Sequence, residues 1–179
     1  VRLPLFLRRL VLLLLLLGLG SPASAEVLLT FYSRDFGATF PHAFFAVKGT
    51  VADDPTPIDT NFGFTAKTVS PAILMGPVHG EIVTMDAGYV QNSQPHLSLA
   101  ISDEQYRTIM AVVEEWRAIP GKSYDLNKRN CVFFVAAVGR ALGLAVVEER
   151  KLMKKPRSFL EDVTRRNAQI AASGGTVAR

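Results

Sequence analysis

Between Cys131 and Leu142 the chain reads Cys-Val-Phe-Phe-Val-Ala-Ala-Val-Gly-Arg-Ala-Leu, and this block constrains the fold more than any other. A helix that is apolar on nearly every side has no face to offer water, so it has to be central. Gly143 closes it, as a helix C-terminal glycine does. The rest of the chain must wrap that helix, and about 150 residues can bury such a core without disulfide staples.

The wrapping elements are legible from period and punctuation. Glu26 to Ser33 and His42 to Lys48 read as strands, with a Gly- and Pro-containing loop between them. Residues 50 to 60, with Asp53, Asp54, Pro55 and Pro57, read as turn chemistry, and Asn61 to Ala66 as a third strand. Ser70-Pro71 opens a short helix that ends by Gly76. Gly80 to Asp86 and His96 to Ile101 are further strands; Leu97, Leu99 and Ile101 share one face of the second. Ser102 and Gln105 form a capping box, and Ile109, Val112, Val113 and Trp116 give the helix that follows its apolar face. Pro156 starts a last amphipathic helix through Phe159, Leu160 and Val163. No internal repeat and no second domain appear. The fold class expected is α+β, a small, mostly antiparallel sheet packed with helices.

The N-terminus has the three parts of an export signal. Arg2, Arg8 and Arg9 are basic, Leu10 to Gly20 is apolar, and Ala23-Ser24-Ala25 offers a small-x-small cleavage site. The expected division is a signal peptide over 1–25, one domain over 26–172 and a disordered tail over 173–179, with the product secreted or periplasmic. The uncharged stretch is short of the roughly 20 apolar residues a membrane span needs. Three of the 20 Lys and Arg leave with the signal, so 17 bases face 16 acids and the basic pI gives no argument for nucleic acid.

Cys131 is the sole cysteine, so no disulfide is available to an exported chain. It stands at the first turn of the apolar helix, behind Tyr124-Asp125-Leu126-Asn127-Lys128-Arg129-Asn130. The first N–H groups of a helix lack partners inside it, and with the helix dipole they favour a thiolate. A pKa below the free value of about 8.5 is therefore expected, and the same N–H groups are placed to donate to an oxyanion. A buried, inert thiol is the plainer alternative.

A thiolate nucleophile in acyl transfer needs an imidazole to move its proton. All three histidines precede Cys131, so the order must be His first, Cys second. His42 and His96 each open a strand after a proline, whereas His79 lies in a turn-like stretch; position leaves all three open. Their spacing matches no metal site, and neither metal nor cofactor is expected.

Asn130-Cys131-Val132-Phe133-Phe134-Val135, introduced by Tyr124, resembles the Asn-Cys-x-x-Phe signature of circularly permuted papain-like thiol hydrolases. These include lecithin retinol acyltransferase-like proteins, PPPDE-type peptidases and related NlpC-type enzymes. His42-Ala43-Phe44-Phe45-Ala46-Val47-Lys48-Gly49 resembles their His strand, which ends in Gly, and the permuted order is the one found here. The likeness covers these two blocks and the elements between them. It implies Cys131 as nucleophile, His42 as general base, and an orienting polar group on the following strand, where Asn61 is the candidate. The implied reaction is hydrolysis or transfer at an amide, thioester or ester, on an acyl, peptide or cell-envelope substrate. The alternative is a catalytically inactive binding or structural domain of the same fold.

Overall fold

The computed structural model describes residues 27–35 and 40–172. The expected signal peptide and tail lie outside these residues. Five strands form one antiparallel sheet: β1 (Val27–Arg34), β2 (His42–Val51), β3 (Asp54–Ala66), β4 (Gly80–Val83) and β5 (Gln94–Ile101), in the order β4-β3-β2-β1-β5. The helices are α1 (Ala87–Gln91), α2 (Asp103–Ala118), α3 (Cys131–Ala141), α4 (Pro156–Arg166) and α5 (Ala168–Ala172). The architecture is α+β, as its pattern of elements requires.

The core lies between one face of the sheet and α2, α3 and α4. Phe31, Phe45, Phe62 and Phe64 line that face; Phe134 of α3 meets Phe45 at 5.8 Å between ring centroids and Trp116 of α2 at 5.3 Å. Helix α3 is central, and seven of its eleven residues are buried. Gly143 follows it at φ +75°, a conformation that a side chain disfavours. The Ser102–Gln105 capping box forms in both directions at the start of α2.

Two expectations change. Residues 54–60 are strand, not loop: Asp54 pairs with Val51 in a tight hairpin, and β3 continues through Pro55 and Pro57. Strand β4 pairs only with Gly63 to Ala66, so the outer edge of 54–60 is unpaired, and prolines are tolerated there. The segment after β4 is also not all strand. Asp86 caps the short helix α1 by accepting from the Tyr89 N–H, which ends the extended run early.

Candidate active site around Cys131

The loop before α3 is tied down on both sides, which fixes where the thiol stands. Val78 and Tyr124 exchange backbone hydrogen bonds of 2.8 and 2.9 Å, joining this loop to the approach of β4. Asp125 accepts from the backbone N–H groups of Asn127 and Lys128, and its carbonyl from that of Arg129, folding 125–129 into a tight turn. Asn130 then caps α3. Its Oδ1 accepts from the Val132 N–H at 2.7 Å and the Phe133 N–H at 3.4 Å, while Nδ2 donates to the carbonyls of Leu126 and Met153. Asn130 thus pins the helix start to the chain on either side of it.

That cap revises the expected oxyanion donors. The Val132 and Phe133 N–H groups are engaged by Asn130, which leaves the N–H of Cys131 as the first-turn donor that the cap does not take up. The expected fall in the thiol pKa is overturned as well. Burial pushes the Cys131 thiol up to about 11, against the opposing pull of the Ala43, Val132 and Cys131 N–H groups. Loss of water around the charge outweighs the helix start.

Among the histidines, His42 alone shares a cavity with Cys131. The cavity has a volume of about 680 Å3, within the range of small-molecule sites, and its walls also include Tyr124, Met85 and Tyr89. The Ala43 N–H, one residue past His42, faces the sulfur. His96 lies elsewhere, its Nε2 2.8 Å from Ser33 Oγ; its pKa is lowered chiefly by burial, with Glu161, Arg157 and Asp35 contributing smaller, mixed effects. His79 borders a separate hollow with Lys67 and Val78.

His42 sits in an unusual seat. Side chains alternate along β2, so it shares a face with Phe44, on which its ring stacks at 6.2 Å, opposite the face where Phe45 meets α3. The imidazole and the sulfur therefore line the same cavity from opposite faces of β2, and no hydrogen bond joins them. Nε2 is enclosed without a partner, and a Cβ placed on Gly63 of β3 would stand 2.4 Å from it. Burial lowers the His42 pKa to about 4, so the ring is neutral at pH 7.

Asn61 does not orient this ring. Its amide exchanges two hydrogen bonds with the backbone of Met85, at 2.7 and 2.9 Å, and it pairs with Ala46, four residues along β2 from His42. The position beside Nε2 belongs to Gly63. A lone glycine inside the alternating Asn-Phe-Gly-Phe-Thr strand signals a close approach, and that was the clue in the sequence.

Tyr124 reaches the thiol's surroundings: burial, and secondarily the charge on Cys131, raise its pKa well above the usual phenol range. Lys128 and Arg129 are not among the cavity's walls; Lys154 is the cation there. Among the described residues no group of three His, Cys, Asp or Glu is placed to hold a metal ion. No family model, curated protein or solved structure matches this chain.

Proposed function

We propose that this protein is a thiol hydrolase or acyltransferase of permuted papain-like type, acting after export on an amide, thioester or ester. The observation that carries the reading is that Cys131 and His42 line one cavity. The walls are mostly apolar, including Val69, Ile73, Leu74 and Val83, which suits an acyl group more than a polar peptide.

In this reading both groups rest neutral. When a carbonyl docks, the Cys131 sulfur attacks its carbon as the His42 imidazole takes the thiol proton. The oxyanion accepts from the Cys131 N–H, with the Tyr124 hydroxyl on the same wall. Collapse expels the leaving group, which takes the proton back from His42, and leaves an acyl-Cys131 thioester. Water or another nucleophile, deprotonated by His42, then attacks the thioester; the Cys131 thiolate leaves and takes that proton back from His42, which frees the acyl product and restores both neutral groups. A long contact in the free protein is compatible with this, because catalytic hydrogen bonds commonly tighten only with substrate bound. A panel of acyl thioesters and aryl esters tests the reading by intact mass and product release. Formation of an acyl adduct on Cys131, lost in Cys131→Ala and slowed in His42→Ala, is the expected result; turnover equal in all three proteins refutes it.

The unpartnered Nε2 and the absence of a Cys131–His42 hydrogen bond favour a second reading, a catalytically silent binding domain on this scaffold. It predicts saturable uptake of an apolar ligand into the cavity with no adduct.

A further inference from the structure

We propose that the mouth of the Cys131 cavity docks on an anionic lipid surface. Of the six large apolar side chains exposed among the described residues, the four most exposed gather here. Met75 is 89 % exposed, Leu74 74 %, Val69 60 % and Phe40 57 %; the other two, Leu28 and Val147, are 47 % and 43 % exposed. Val69, Leu74 and Phe40 line the cavity, and Met75 follows Leu74 directly.

Most of this patch is carried by one short device. The 3-10 turn Pro71–Leu74 buries none of its residues, so the run Val69-Ser70-Pro71-Ala72-Ile73-Leu74-Met75 is apolar without serving the core. Exposed apolar side chains concentrated on one projecting turn mark a contact surface. The charge around it selects the partner. Among the described residues no Asp or Glu lines the cavity; Lys154 does, and Lys67 lies beside Ser70 in the adjoining hollow. Neither lysine belongs to an ion pair among the described residues. Basic residues flanking a small apolar prong fit the interface of a bilayer bearing anionic headgroups. A second copy of the chain fits less well, since a two-fold contact through this patch sets lysines against lysines. No described helix is long and apolar enough to cross a membrane, so the contact is interfacial. A cavity opening at such a surface receives apolar chains from the bilayer without passage through water.

The test is co-sedimentation with vesicles of phosphatidylcholine, alone or with about a quarter phosphatidylglycerol. The protein binds the anionic vesicles, and raised salt weakens that binding. Leu74→Asp/Met75→Asp, compared in the same chain so that every other segment is common to both, binds at least roughly tenfold less. Its Tm stays near the parent's because neither side chain is buried; should it fall, Leu74→Ser/Met75→Ser replaces it. Lys67→Glu/Lys154→Glu loses the preference for anionic vesicles, and Val147→Asp, away from the cavity walls, changes nothing. Cys131→Ala binds vesicles like the parent, which keeps this result separate from that of the catalytic reading. The proposal is overturned if neither vesicle is bound, if the Leu74/Met75 variant binds as well as the parent, or if light scattering instead shows a dimer that this variant dissolves.

Discussion

Gly63 is the floor on which His42 rests: a single added carbon at residue 63 would stand 2.4 Å from the imidazole Nε2. The proposed thiol hydrolase would be expected to carry an orienting side chain near its imidazole. Here the ring is held by shape, between the strand backbone at Gly63 and the stacked ring of Phe44. Gly63→Ala therefore displaces the imidazole. The expected cost is about 1–3 kcal/mol of stability, as for other overpacked sites, with loss of any Cys131-dependent turnover. Denaturation of Gly63→Ala, His42→Ala and the double variant checks it: the double variant recovers much of the loss, because the clash partner is gone.

Stability should respond to acid through the same ring. The pKa of His42 falls from 6.5 to about 4 because of burial. The unfolded chain takes up a proton below 6.5 that the folded protein refuses until about 4. Stability from this group is complete above pH 6.5 and is lost as the pH falls through that window, by about 3 kcal/mol in all. Urea denaturation at pH 7, 5.5 and 4.5 measures it, and His42→Gln should flatten the slope.

The thiol should be sluggish towards small alkylating agents. With its pKa pushed up to about 11 by burial, Cys131 is almost wholly protonated at pH 8. Iodoacetamide should label the folded protein roughly a hundredfold more slowly than the urea-unfolded chain at that pH, since the thiolate is the reactive form. Rapid labelling of the folded protein below pH 7 would instead mark a thiolate held by His42.

Asn130→Ala removes a helix cap and strands two carbonyls, those of Leu126 and Met153. A loss of about 2–4 kcal/mol is expected from the cap and the buried groups together. Asn130→Asp keeps the acceptor for the Val132 N–H but cannot donate to either carbonyl, so it should recover only part of that stability.

Much of the scaffold was legible because local chemistry specifies it. Ser102 and Gln105 announce a helix start, and the capping box is present. Leu97, Leu99 and Ile101 alternate and are buried on one face of β5. The apolar run after Cys131 predicted a central helix, and α3 is that helix. Pro55 and Pro57 misled, because proline usually breaks a strand; whether it does depends on whether that edge has a neighbour, which is a property of the sheet. Asn61 misled for a related reason. It lies on a plausible strand, but the partner of its amide, the Met85 backbone, is 24 residues away.

From residue order alone came the elements, the fold class, the position of the one thiol at a helix start, and the rule that any imidazole serving it must come earlier in the chain. These follow from period, capping and counting, which act over a few residues. Which histidine shares the cavity, what sits beside its Nε2, and whether the thiol rests charged were decided by packing. Each depends on the register between β2 and β3 and on how completely the folded chain excludes water, and neither quantity exists until distant segments meet.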